Sequence, residues 1–414
     1  MFFMYTRMRS FIVAASLCAF LKASIHAQPR FALFDDFLNQ HITAIFPAEK
    51  DSLFAAFWRQ ARSQGIPWID TNGTDVAFLY RGRADSVKVI GDFTSWSLKL
   101  KMRRIPETDL FYLRLAFERD ARLDYRFIVN QKEMLDPFNP RISPGTDGER
   151  SELAMPDYQP SEEWKERRGV PKGRLTTLAV PKKAGVPEFS IRVYVPASYD
   201  TIRTPMPAVY FLNGDAYLQY ANAATILDNM IGARAVPNTI GVFITEAGSA
   251  SKQKNAIIDD STLHFIATDI IPLVDRRFRT KAHSAARMMV GQYDGGARAF
   301  AFGFAYPHLV EYAAGQSPYL TFSSDTMLAM FRVAETRPLR VYVEIGTYEK
   351  KVGGFPWGVH EGNLYAAART LRRILMEKDY PHQYRELHDG HSWARWRNEL
   401  PVILRWFLTQ RASP

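Results

Sequence analysis

The sequence of 414 residues predicts a mixed fold: an α/β domain with a doubly wound sheet, preceded by a smaller all-β sandwich. Three observations predict it. From about residue 174, apolar runs of strand length alternate with amphipathic helical stretches, the pattern of a largely parallel sheet covered on both faces. Between 68 and 141 the period changes to two, in short runs separated by turn residues, as in a sandwich. At "MMVGQYDGGARAF" (288–300) a short apolar run meets a Gly-x-x-x-Gly-Gly turn, followed by a small-residue, helix-compatible run.

At the N-terminus, Arg7 and Arg9 precede the apolar run "FIVAASLCAFL" (11–21). That run is shorter than the ~20 residues of a membrane span, and "SIHAQP" offers a cleavage point after Ala27. Residues 1–27 are therefore expected to be a signal peptide, with an uncleaved N-terminal anchor as the alternative. The mature chain is expected in the periplasm or outside the cell, with no integral membrane span. Cys18 is the only cysteine, so the mature chain would have no disulfide, thiolate metal site or cysteine nucleophile. A core of this size needs no such staples. The net charge is +10, and loss of Arg7, Arg9 and Lys22 would leave about +7. The basic residues are dispersed and no basic helix with interleaved aromatics occurs, so no nucleic-acid partner is expected.

Residues 28–67 read as a helical lead-in. "FALFDDFLNQHITAIF" carries apolar residues at helical spacing, and "DSLFAAFWRQARSQG" offers Asp51 as a cap and ends at Gly65 before Pro67. Over 68–141, "DVAFLYRG", "SVKVIGDF", "FYLRLAFE" and "LDYRFIVNQKEMLDP" read as strands. Residues 142–173, rich in Pro, Gly, Glu and Ser, read as a linker pinned by Leu153, Met155 and Tyr158. The α/β domain follows over 174–414. Its strands are "RLTTLAV", "FSIRVYVP", "PAVYFLNG", "TIGVFIT", "ARMMVG", "LRVYVEIGT" and "HQYRELHDG". Helices are expected at "ATILDNMIGARAVP", at "DSTLHFIATDIIPLVDRRF" with a kink at Pro272, at "LYAAARTLRRILMEKD" and at "WARWRNELPVILRWFL".

The glycine turn at 291–296 has the frame of a nucleophile elbow, Gly-x-Ser-x-Gly, in which a sharp strand-to-helix turn presents the attacking side chain. The middle position here is Tyr293. Such a site also needs an acid and a histidine, in that chain order, at the ends of later strands. His391 lies in a loop between the last strand and the last helix, with His388 on the strand side as a competitor. Glu349, a few residues past Gly346, fits the acid slot better than Glu344, which lies within the strand. Backbone N–H groups at Gly214 and Asp215, and at Asp294 just after the elbow tip, are the candidate oxyanion donors. No His-Glu-x-x-His spacing occurs among His360, Glu361, His382 and His388, so no metal is expected, and no cofactor.

Two resemblances carry the reading further. "VIGDFTSWS", "TDLFYLRL", "DARLDYRFIVN" and "LDPFNPR" resemble the glycogen- and starch-binding-like early-set (Ig-like) domains that precede some hydrolases. That resemblance implies Trp96 as an aromatic stacking on glucan rings; the alternative is a residue that closes the sandwich edge. The second spans nearly all of 190–408. "AVYFLNGDAYL", "ILDNMIGARAVPNTIGVFI", "GFAYPHLVEYAAGQSPYL" and the closing "HDGHSWARWR" resemble the enterochelin-esterase and esterase-D-like α/β-hydrolases, with Gly390, His391, Trp393, Trp396 and Arg397 matching. The resemblance implies carboxylic-ester hydrolysis, with His391 and Glu349 as catalytic partners. It also implies Trp393 at the ligand and a small-molecule ester, siderophore-like compound or glycan as the ligand.

The family elbow reads Gly-Gln-Ser-x-Gly-Gly, whereas this chain reads Gly291-Gln292-Tyr293-Asp294-Gly295-Gly296. Three readings stand open. The usual serine mechanism is lost, with a non-catalytic protein that binds a siderophore, glycan or protein partner as the alternative to hydrolysis; or Tyr293 or Asp294 substitutes as nucleophile; or Ser317 or Ser392 acts instead. Residues 245–262 also lack the family's Arg-x-x-Glu-Leu element at the substrate border, with "KQKNAII" in its place.

Overall fold

The computed structural model describes residues 31–409 apart from Lys182, Ala184, 247–259, 321–325 and 351–362. The expected signal peptide and most of the altered substrate border lie outside the described residues.

The chain enters through two helices, α1 (Phe34–Thr43) and α2 (Pro47–Gln64). Asp51 was the expected cap, but α2 begins a turn earlier, because Pro47 has the fixed φ and missing N–H that suit a first helical position. Gly65 ends it at φ 117°. Phe34, Phe37 and Phe57 pack beneath these helices, with Phe37 and Phe57 stacked at 4.1 Å. They cover Trp68, Ala77 and Leu79, which belong to one face of the first sheet.

That sheet has the order β1-β2-β6-β5, built from Trp68–Ile69, Asp75–Arg81, Leu110–Ala116 and Arg103–Arg104. The second sheet runs β4-β3-β7-β10-β9, built from Leu100–Lys101, Val87–Gly91, Arg122–Val129, Arg150–Ala154 and Ile142–Ser143. β8 (Lys132–Met134) pairs with β7 at its side. Val76 and Phe78 of β2 face inward against Val89, Leu123, Tyr125 and Phe127, while Ala77 and Leu79 face the helices. This is the period-two alternation of a strand with both faces covered.

The stretch 142–154, read from sequence as linker, departs from that reading. β10 pairs with β7 over Ser151–Ala154, and Leu153 and Met155 are buried in the sandwich core. The run "ERSELA" hides its strand character because Arg150 and Ser151 are buried polar residues with partners inside the protein.

The α/β domain is one eight-stranded sheet, ordered β11-β12-β14-β13-β15-β16-β17-β18. The strands are Arg174–Thr177, Phe189–Val195, Ile240–Glu246, Ala208–Leu212, Arg287–Gln292, Tyr312–Gln316, Arg340–Gly346 and His382–Leu387 in that order. β11 and β12 are antiparallel to their neighbours and the rest run parallel. The helices between strands are α3 (Gly214–Gln219), α4 (Ala223–Gly232), α5 (Asp260–Phe265), α6 (Ile271–Arg277), α7 (Asp294–Ala305), α8 (Thr326–Val333), α9 (Leu364–Glu377) and α10 (Trp393–Leu408). At Pro272 the expected interruption is a short π-helical stretch, Ile266–Ile270, between α5 and α6. β13 is buried throughout: Ala208, Tyr210 and Leu212 feed one core, and Val209 and Phe211 the other. The parallel strands therefore end together, and the loops at their C-terminal ends converge on one place.

Candidate active site

At the end of β15 the chain turns sharply into α7. Gly291 sits so close to Gly295 that any Cβ would overlap its carbonyl, and a Cβ on Gly296 would press on Gly291 O and the Gly315 Cα, 3.0 and 3.2 Å away. Tyr293 lies at the tip with φ 49° and ψ −111°. For a non-glycine residue this conformation costs about 1–3 kcal/mol and needs outside support. The support is a pair of bonds to β16 and the segment after it: Tyr293 N–H donates to Gln316 O, and Tyr319 N–H donates to Tyr293 O, both at 2.9 Å.

The Tyr293 side chain does not project into open space. Its ring stacks on Tyr319 at 4.8 Å and meets His391 edge-on at 5.1 Å. Burial pushes the phenol well above its ordinary range, with Tyr319, Asp294 and Glu349 adding to the shift, so the hydroxyl stays protonated near neutral pH.

His391 Nδ1 lies 2.6 Å from Glu349 Oε1. The Glu349 carboxyl is fully buried. Burial pushes its pKa up, but Arg395 and the bond from His391 outweigh that and hold it below the usual range. An ionised carboxylate only accepts hydrogen bonds, so Nδ1 must carry the proton and, in the neutral ring, Nε2 is the basic nitrogen. Glu349 Oε2 accepts from Gly346 N–H at 3.1 Å and from Arg395 Nη1 at 3.3 Å. Glu344, the competing acid, lies beside the elbow's base instead: Gln316 Nε2 donates to it at 2.9 Å, and burial raises its carboxyl well above the normal range. His388 faces the other way, with Nδ1 2.7 Å from Asp120 of the sandwich.

The remaining candidates fall in different places. Gly214 opens α3 hard against β14, where a Cβ would lie 2.5 Å from the Ile244 nitrogen. Asp215 N–H donates to Thr245 Oγ1 at 2.8 Å and its carboxylate pairs with Arg192, so both of its groups are already engaged. Asp294 is the first residue of α7, and its carboxylate accepts from Asn213 Nδ2 at 3.1 Å, which ties the two proposed oxyanion turns together. Ser317 Oγ is buried and accepts from Arg395 and from Trp396 Nε1. Ser392 Oγ accepts from Arg122 at 2.8 Å and caps α10 through Arg395 N–H. Both hydroxyls have structural partners.

A cavity of about 220 Å³ opens over the elbow, lined by Gln292, Tyr293, Asp294, His391, Ser392, Trp393 and Trp396. Trp393 lies edge-on to Tyr217 and Trp396, at 5.3 and 5.0 Å, and presents only a small part of its surface. The opposite wall comes from the sandwich: Pro144, Gly145, Thr146 and Arg150. Trp96 is not in that wall. Its N–H donates to the buried Asp92 at 2.8 Å, and the Arg150 guanidinium lies 4.3 Å over its ring. Arg395, Arg150 and the 144–146 loop had no signal in the sequence beyond ordinary charge and turn composition, because their roles depend on partners far along the chain. Among the described residues, no group of three His, Cys, Asp or Glu side chains is placed to hold a metal, and no helix is long and apolar enough to cross a membrane.

A sheet of this order, with the elbow after β15, an acid after β17 and a histidine after β18, is the α/β-hydrolase arrangement. The family model described as "Putative esterase" matches residues 187–407. The chain belongs to that family. Its structure is similar to the ferric enterobactin esterase of Salmonella typhimurium, with a TM-score of 0.69 at 18% identity over 85% of this chain and 98% of that one. It is also similar to the enterobactin esterase of Shigella flexneri solved in the presence of enterobactin, with a TM-score of 0.64 at 18% identity over 81% and 93%. In sequence, the uncharacterized protein YjcH of Bacillus subtilis (strain 168) is 19% identical over 228 residues, 53% of this chain and 92% of that one. At these identities the likeness speaks for the fold, and in the solved relatives it includes the β domain in front of the hydrolase.

Proposed function

We propose that this esterase-family protein is exported and binds a small ester, siderophore-like or glycan ligand in the cavity between its two domains, without the serine acyl-enzyme route of the fold. One observation carries the proposal: Tyr293 stands at the elbow tip, its ring packed between Tyr319 and His391. A serine there would hold its oxygen near the strained turn, within reach of the histidine. The phenol is neutral and bulky, and its ring takes the room a substrate carbonyl needs. The apolar run at 11–21 with its preceding arginines supports export.

The intact pair between Glu349 and His391 favours a second reading, in which His391 acts as base toward water on an activated ester. One experiment separates them. Hydrolysis of short p-nitrophenyl esters is measured for the native chain, Tyr293→Ser, and each with His391→Ala. The first reading expects no His391-dependent turnover natively, and at least about 10²-fold more in Tyr293→Ser, still short of the ~10⁶ that a working triad contributes. Native turnover abolished by His391→Ala would overturn it in favour of the second.

A further inference from the structure

The two pieces of backbone that carry Glu349 and His391 are held by one strip of the sandwich, residues 118–124, where β6 turns into β7. Tyr348, next to Glu349, donates its hydroxyl to Glu118 at 2.6 Å. Asp120 lies 2.7 Å from His388 Nδ1. Arg122 then takes hold of the histidine loop on both sides of His391. Its backbone N–H donates to His388 O at 2.9 Å, and its Nη1 donates to Ser392 Oγ at 2.8 Å and lies 3.5 Å from Asp389 Oδ1. Arg122 and Asp389 also form an isolated parallel bridge between the domains. Behind the loop, the Asp92 carboxylate lies so close to Gly390 that any Cβ there would overlap it, and the same carboxylate accepts from Asp124 N–H at 2.7 Å. The Arg122 side chain is wholly buried, with Asp124 and Glu152 as its other partners.

We infer that Arg122, on the N-terminal sandwich, is a positioning residue for His391, fixing the imidazole against Glu349. The inference rests on the reading of Glu349 and His391 as the functional pair, and is independent of what Tyr293 does. The physical reason is the short 2.6 Å bond between them. A working pair tolerates displacements of only about 0.5 Å. His391 sits on a loop, and the side chains of Asp389 before it and Ser392 after it both meet the Arg122 guanidinium. Loss of that guanidinium would remove the buried cation nearest Asp124 and the side-chain donor to the Ser392 hydroxyl, and would free the Asp389 side chain from its contact with the sandwich. The sandwich would then be a structural part of the site.

The test reads the bond itself. In the full chain labelled with ¹⁵N-histidine, the low-field Nδ1–H resonance of His391 is identified by its loss in His391→Ala. The expected result is an upfield shift or loss of this signal in Arg122→Met, with partial recovery in Arg122→Lys, and a smaller upfield shift in Tyr348→Phe. A purely structural Arg122 would lower the melting temperature and leave the resonance in place; an unchanged resonance in folded Arg122→Met overturns the inference. If that variant does not fold, Arg122→Lys and Tyr348→Phe decide, and an unchanged resonance in both overturns it. Because the signal is read in the native Tyr293 background without substrate, turnover or its absence leaves the result intact.

Discussion

Arg395 connects the two acidic candidates of the site. Its Nη1 bonds to Glu349, its other terminal nitrogen reaches Ser317, and its Nε lies 4.0 Å from Glu344. One guanidinium cannot fully compensate two buried carboxyls, and the structure divides them: Glu349 also receives the His391 and Gly346 bonds and is held below the usual carboxylate range, while burial pushes Glu344 well above it. Replacing Arg395 with methionine would leave a buried carboxylate uncompensated. The expected cost is about 3–5 kcal/mol in urea unfolding. Arg395→Lys would recover only part of it, because an ammonium cannot bridge Glu349 and Ser317 in one plane. At this scale the sequence was informative where the residue sits in a tight motif. His391 stood out from its Gly-His-x-Trp surroundings, whereas Arg395, four residues later, carried no mark of its buried role.

The elbow shows what a single element can specify. β15 ends in a turn that only glycine permits at 291, and the following helix begins at once because Gly295 and Gly296 let it lie against the sheet. Gly291→Ala is expected to destabilise the fold by about 3 kcal/mol or more, since its Cβ would meet backbone and not a movable side chain. Calorimetry would check it; an unchanged melting temperature would show that the turn relaxes. The glycine spacing made this element legible in sequence. The strand at 150–154 was not, because its buried residues Arg150 and Ser151 are polar and their partners, Asp147 and the Asp136 N–H, satisfy them only after folding. The same limit hid the start of α2, where proline signals a helix start as well as a break.

For the whole molecule, the sandwich and the α/β domain share a cavity and a buried ionic seam, so stability and site geometry are linked across the chain. The sandwich itself carries a pH-sensitive group. Burial pushes the Asp136 carboxyl up to about 6, against the bonds it accepts from Tyr125 and Phe138. A carboxyl raised in the folded state stabilises while protonated and loses that contribution as pH rises from the unfolded value, about 4, through the folded one. Native stability relative to Asp136→Asn is therefore expected to fall by on the order of 2–3 kcal/mol between pH 4 and pH 7. Urea unfolding at the two pH values would measure it, and a constant difference would refute it. Sequence alone determined the period of each segment, the frame of the elbow, the histidine motif and the order of the two domains, because each is written in neighbouring residues. Tertiary structure alone decided that Ser317 and Ser392 are tied up, and that Arg122 and Arg150 reach the site from the other domain. Those choices depend on burial and pairing between residues up to 270 positions apart, and no local pattern encodes them.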